Sequence, residues 1–432
     1  MRSTSPPPGP AEGFDLGATD ESLERLRAWA PVHGDFYRVF SPARGANDFV
    51  ANHPDDVKRV MLSNHRNYTK GGGMDRVRIL LGNGIMTSEG AFWRRQRRMM
   101  QPAFHRRIIA QFAGLIGEMN EKCAARWQGF ADRGEPVNIT EDTSELTLEI
   151  VLRSIFGSDL DRLGEVHGGN PFEVVHKEPS RDLRFAFRFR SLGKLVAEVM
   201  QWRRREGGEH FDFLAMLMDA RDRETDQAMD DGELIDEVLT LVVAGHETTA
   251  AALTWTWYLL SQHPDAQAQL QAEADRAPRE AAPSLERAES QLYTHQVAQE
   301  SLRLYPPGWL LVRRTIDPDV LGGYEIPARS DVFICPYLLH RHPEYWPDAE
   351  TFDPQRFTGG ETDERHRFAY IPFAVGPRHC IGEGMAMYEM LVHLQRMARQ
   401  FHFVRADDAP IELEAQVNLR PRSNLMMRVT AR

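Results

Sequence analysis

The stretch Phe373-Ala374-Val375-Gly376-Pro377-Arg378-His379-Cys380-Ile381-Gly382, of the form F-x-x-G-x-R-x-C-x-G, constrains this chain more than any other segment, and a helical run, Met385 to Phe401, follows it. A cysteine just ahead of a helix meets unpaired backbone N–H groups and the positive end of the helix dipole, which stabilise its thiolate. Gly376 permits a tight turn, Gly382 lets the backbone approach a flat ligand, and Arg378 offers a fixed fork of donors to a carboxylate. With Cys123 and Cys335 the chain has three cysteines, too few and too scattered for a disulfide framework or a four-sulfur metal site.

Composition sets the frame around that segment. A chain of 432 residues buries roughly three quarters of its unfolded surface. Its 42% hydrophobic and 27% charged residues match folded domains and exclude disorder, collagen and repeat arrays. The 52 Lys and Arg against 63 Asp and Glu leave a net charge of −11, which argues against a general affinity for nucleic acid. The opening residues hold no apolar secretion segment, and the run Leu239 to Ala244 falls short of the ~20 residues that span a bilayer. A cytoplasmic, monomeric protein without a transmembrane anchor is expected. Residues 1–20, Pro-rich at Pro6 to Pro10, read as a flexible lead, and residues 21–432 as one domain.

Strand-like pieces at residues 35–40 and 48–51 predict a small sheet near the start, and the texture of Pro307 to Pro336 predicts a second one late in the chain. Gly71-Gly72-Gly73 and Gly82-Asn83-Gly84 make the stretch from Tyr68 to Glu89 read as a loop carrying apolar residues. Most of the 170 residues after Gly90 are helical in pattern. The fold class is therefore mainly α with a smaller β part. Between Gly157 and Glu206, the alternation from Arg184 to Arg190 reads as a strand. A helix with Phe185 and Phe189 on one face, and Arg184 and Arg188 on another, is preferred.

Three further motifs stand out. Ala244-Gly245-His246-Glu247-Thr248-Thr249 falls inside a helix from about Gly232 to Gln262, about 45 Å long at the usual rise. That helix is apolar on all faces between Val238 and Ala244, hence buried. Gly245 costs about 1 kcal/mol there, and Glu247 is expensive unless solvated or paired, so the two together point to function. Glu300 and Arg303 lie three apart on one helical face, followed by Leu304-Tyr305-Pro306-Pro307, and Phe352 to Phe357 contains P-x-R-F. Trp93 and Arg97 stand one turn apart with both donors on one face.

The form, order and spacing of these motifs, from about Trp93 to Met427, resemble the cytochrome P450 family. The resemblance implies the cytochrome P450 fold, with a long central helix over a heme and two small sheets. It implies heme b (iron protoporphyrin IX) as cofactor, with Cys380 as axial iron ligand in a loop that also presents Phe373, Arg378 and Gly382. Trp93, Arg97 and Arg313 would reach the heme propionates, with Arg314 a competitor for the last position. Thr248 would steady the activated oxygen and Glu247 would relay protons to it, while Glu300, Arg303 and Arg356 would lock the core behind the heme loop.

A sulfur ligand favours O–O cleavage, so the expected activity is monooxygenation. One atom of O2 enters a hydrophobic small molecule by hydroxylation or epoxidation. Candidate pocket residues are Met74, Leu80, Ile85, Val243, Ala244, Trp309, Leu310 and Leu311. No flavin or iron–sulfur segment is fused to the chain, so electrons are expected from a separate ferredoxin or flavodoxin type donor. The basic cluster Arg94, Arg95 and Arg98 is its expected docking place. Two alternatives are an H2O2-dependent peroxygenase, against which Glu247 and Thr248 weigh, and a non-catalytic heme sensor, for which the chain has no spare output domain. Fatty acids, terpenoids, carotenoids and natural-product intermediates all remain open as substrates.

Overall fold

The structure, a computed structural model, describes residues 6–177, 183–276, 284–359 and 365–432. Its principal helices are α1 (Ser22–His33), α2 (Met74–Leu81), α3 (Gly90–Met100), α4 (Ala113–Arg133), α5 (Ile139–Phe156), α6 (Leu183–Ser191), α7 (Gly193–Glu206), α8 (Asp231–Gln262), α9 (Leu292–Leu304) and α10 (Glu383–Gln400). The fold is mainly helical with a smaller β part. Helix α8 starts at a capping box in which Asp230 accepts from the Glu233 N–H and Glu233 accepts from the Asp230 N–H. Most of its residues are buried, and α5 crosses it at close range. A Cβ at Gly245 would lie 2.9 Å from Val151 Cγ2, while the Thr147 hydroxyl donates to the His246 carbonyl at 3.2 Å. Gly245 is thus also a point of close approach between two core helices.

The early and late strands join in one five-stranded sheet rather than forming separate ones. Strands β1 (Phe36–Ser41), β2 (Ala46–Ala51), β3 (Tyr68–Lys70), β4 (Leu311–Thr315) and β5 (Asp331–Ile334) lie in the order β1-β2-β5-β4-β3. The parallel pair β2–β5 sets Phe49 opposite Val332 and Val50 opposite Phe333. All four of these side chains are buried, so pairing removes both apolar edges from water. A late hairpin, β6 (Leu413–Ala415) and β7 (Leu419–Pro421), packs against α8.

Two further expectations differ from the structure. Residues 6–20 are laid against β1 rather than forming a flexible lead. The Arg38 N–H donates to the Pro8 carbonyl and the Phe14 N–H to the Phe40 carbonyl, both at 2.8 Å, and Leu16 is buried. Residues 1–5 lie outside the described residues. The stretch read as a loop contains α2, because Gly73 and Gly82, both at positive φ, bound a helix rather than dissolve it. The segment from residue 184 to 190 is helical, with Phe185 and Phe189 buried and stacked at 6.0 Å. The side chain of Arg184 lies outside the described residues. Among the described residues, no helix is long and apolar enough to cross a membrane.

At the end of α9, Arg303 and Glu300 are completely buried. The Arg303 guanidinium donates to both Glu300 oxygens, at 2.6 and 2.8 Å, and to the carbonyls of His340, Ala349 and Thr351. Glu300 also accepts from the Asp353 N–H at 2.9 Å. Arg356 approaches Glu300 at 3.4 Å and donates to the carbonyls of Pro347 and Asp348. Removing the cation from a buried pair strands the carboxylate, so Arg303→Leu is expected to cost about 3–5 kcal/mol in denaturant unfolding. A loss under about 1 kcal/mol, the range of exposed pairs, would contradict a buried network.

Candidate active site

The loop ahead of α10 is shaped by two residues at positive φ, Ala374 and Gly376. A Cβ at Gly376 would overlap the Met61 carbonyl oxygen. Glycine there lets the loop sit directly on a π-helical turn, Arg59–Ser63. The Cys380 N–H donates to the Phe373 carbonyl at 2.9 Å. A Cβ at Gly382 would stand 3.9 Å from the Cys380 sulfur, so a larger side chain would crowd over it. Cys380 keeps an exposed side chain while Cys123 and Cys335 are buried. Desolvation by the protein packed around it pushes this accessible thiol up, against the pull of the Gly382 and Glu383 N–H groups and the Arg97 guanidinium. Burial pushes Cys335 up to about 12, which leaves that thiol unreactive.

Four cations gather beside this loop. Arg97, on α3, donates to the His379 carbonyl at 2.9 Å. Arg378 pairs with Glu89, donates to the Ser88 carbonyl at 3.1 Å and lies over the Trp93 ring at 4.2 Å. The Trp93 face is therefore occupied by a guanidinium. Strand alternation separates the two adjacent arginines of β4. Arg314 is bound to Asp331 at 2.7 Å, whereas Arg313 is held down to about 10 by burial and by Arg378. Lys70, which no motif marks, stands opposite Arg313 in the β3–β4 register. Burial, with Arg378 and Arg313 nearby, brings it down to about 7. Only a pairing between strands far apart in sequence brings Lys70 here, so local pattern could not find it.

On α8, Val243, Ala244, Gly245 and Glu247 are partly accessible and Thr248 is exposed, although Val242, His246 and Thr249 beside them are buried. The Thr248 hydroxyl donates to the Ala244 carbonyl at 2.8 Å. Glu247 accepts from the Asn418 amide at 3.2 Å. Met74, Leu80, Ile85, Leu310 and Leu311 are also partly accessible. Trp309 departs from the expected pocket set: it is 2% exposed, within a core shared with Leu16 and Tyr37, and donates to the Gln416 carbonyl. The stretch after α2 is fastened to α8, where Glu237 accepts from the Ile85 N–H at 2.8 Å and Asp236 from the Asn83 N–H at 2.7 Å.

The basic cluster near the cysteine is largely neutralised. Arg95 pairs with Glu233 at 2.7 Å, and Arg98 with Asp222 and Glu224 at 2.9 Å. These two guanidinia are therefore not free charges for a docking partner. Arg94 is exposed and borders a groove of 1090 Å³ with His295, Gln299 and Arg367.

Burial, reinforced by Asp236 and Glu233, pushes the Glu237 carboxyl up to about 8, against the Ile85 N–H and Lys70. A carboxyl raised on folding favours the folded state below its ordinary value, and that advantage fades as pH rises towards 8. Glu237→Gln keeps an acceptor for Ile85 but cannot ionise. Its stability relative to the parent should therefore improve by about 1 kcal/mol per pH unit between pH 5 and 8. Denaturant midpoints at several pH values check this, and a pH-independent difference would refute it.

Comparison with known proteins agrees with this architecture. The family profile described as Cytochrome P450 matches residues 6–167 and 169–428. The chain is 34% identical over 415 residues to cyclooctat-9-en-7-ol 5-monooxygenase of Streptomyces melanosporofaciens, covering 92% of this chain and 88% of the relative. It is 30% identical over 417 residues to pentalenene oxygenase of Streptomyces avermitilis, covering 93% and 91%. The crystal structure of the cytochrome P450DA heme domain superposes with a TM-score of 0.87 at 27% identity, covering 96% of this chain and 93% of that one. Nearly full-length agreement in both sequence and fold places this chain in the cytochrome P450 family, as a monooxygenase whose cofactor is heme b.

Proposed function

We propose that this protein inserts one atom of O2 into a C–H or C=C bond of a hydrocarbon-rich, unsaturated small molecule. The Cys380 sulfur would hold the heme iron, and a separate protein would supply the electrons. The observation that carries the reading is the Cys380 thiol, accessible at the N-terminal end of α10 and approached by the Gly382 and Glu383 N–H groups and by Arg97. These donors favour the thiolate that an iron ligand must be.

The residues present fit heme b. Lys70, Arg313 and Arg378 gather around Glu89, Arg97 stands beside the cysteine loop at the His379 carbonyl, and that excess of positive charge suits a pair of propionates. Gly382 leaves the sulfur uncovered. Phe373 fixes the loop by accepting the Cys380 N–H. When bound, heme with a sulfur axial ligand supplies dioxygen cleavage.

The chain's own residues do the rest. Thr248 turns its hydroxyl back to Ala244, which leaves the oxygen lone pairs to accept a hydrogen bond on the accessible face. Glu247 takes a proton from water and passes it towards the same face. Val243, Ala244, Ile85, Leu80, Met74 and Leu310 hold the substrate and keep water off it. Glu300, Arg303 and Arg356 fix the segments behind the cysteine loop. For the electron donor, of ferredoxin or flavodoxin type, Arg94 and Arg367 beside the groove are the cations that face outward. An unsaturated, hydrocarbon-rich substrate is supported by the names of the two Streptomyces relatives, an alkenol monooxygenase and a pentalenene oxygenase.

The test is the visible spectrum of the heme-loaded protein titrated with cyclooctat-9-en-7-ol, pentalenene and a saturated fatty acid. A thiolate-type carbon monoxide adduct is expected, abolished by Cys380→His, with a spin-state shift for the alkenes. A thiolate-type adduct that survives Cys380→His refutes the ligand assignment, and a shift for the fatty acid alone refutes the substrate class. Thr248→Ala is expected to lower product formed per reductant about tenfold, with peroxide released instead and substrate affinity unchanged.

A further inference from the structure

The β6–β7 hairpin reaches α8 through a tip that none of the sequence motifs includes. Two buried indoles, both 2% exposed or less, grip that tip. The Trp309 N–H donates to the Gln416 carbonyl and the Trp255 N–H to the Leu419 carbonyl, each at 3.0 Å. The Leu419 N–H in turn donates to the Pro307 carbonyl at 3.0 Å. Trp255 belongs to α8 itself, about two turns beyond Glu247. Between these anchors Val417 faces outward at 72% exposure, while Asn418 is 6% exposed and sets its amide 3.2 Å from the Glu247 carboxylate.

The backbone on both sides of Asn418 is thus fixed by hydrogen bonds to buried rings, so the amide meets Glu247 from a rigid support. A neutral amide orients a carboxylate without the strong pull that a guanidinium exerts on its proton affinity. Such a contact suits a group that must give up a proton and recover one.

We infer that Asn418 is a positioning residue for Glu247, holding the carboxylate in one orientation next to Thr248. The inference rests on the proton-carrying role proposed above for Glu247. In each cycle Glu247 passes one proton towards the reacting oxygen and regains one from water. Asn418 keeps all its protons and contributes only the hydrogen bond.

The test uses the full heme-loaded chain. The infrared difference between the parent and Glu247→Gln isolates the Glu247 carboxylate band, and the same difference is taken in the Asn418→Leu background. One narrow band is expected in the parent, and a shifted or broadened band once the amide is gone. An identical band overturns the inference whether or not any substrate is turned over. With cyclooctat-9-en-7-ol as probe, Asn418→Asp replaces the donor by a like charge of the same shape. It should lower product per reductant about as far as Glu247→Gln does, while Asn418→Gln retains most of it and probe affinity stays at the parent value. Loss in Glu247→Gln without loss in Asn418→Asp overturns the positioning role alone. No loss in Glu247→Gln overturns the proton-carrying role and this inference together.

Discussion

The arrangement behind the cysteine depends on one buried guanidinium. Arg303 is enclosed by Glu300 and by carbonyls from His340, which ends the short helix Pro336–Leu339, and from Ala349 and Thr351 in the irregular chain that follows. Burying such backbone is costly unless its carbonyls find donors. A planar fork with several N–H groups meets that need in one place. Helix α9 thereby becomes a fixed wall from which the following segment, up to the cysteine loop, is hung. The Glu300 carboxylate keeps the cation in place, and Arg356 closes the far side.

Much of this was legible in the sequence because local chemistry dictates it. A cysteine ahead of a helix, an apolar helix that carries Gly245 and Glu247, and an acid and a base three residues apart are each short-range statements. What was not legible depends on pairing between distant segments. Lys70 enters the cationic cluster only because β3 lies beside β4, and Asn418 meets Glu247 only because the hairpin folds onto α8. The apparent basic patch at Arg95 and Arg98 is cancelled by acids from residues 222–233, which no pattern within α3 announces. Trp309 misled for a related reason: an indole needs a partner for its N–H when buried, and the Gln416 carbonyl turns it towards the hairpin.

Gly245 illustrates how one residue serves two demands. The missing side chain admits Val151 of α5 and leaves the next turn, with Glu247 and Thr248, facing an accessible space. A helix that is tightly packed on one side and open on the other has a sharp boundary between dry and wet surface.

The contact between Gly376 and the Met61 carbonyl has a consequence for assembly. It joins the cysteine loop to a turn near the opposite end of the chain, so the loop has no template until nearly all the polypeptide is made. Closing so long a segment is slow relative to forming the helices between. The helices between need no such distant partner for their own hydrogen bonds, whereas the loop's conformation at Gly376 is complete only against the Arg59–Ser63 turn.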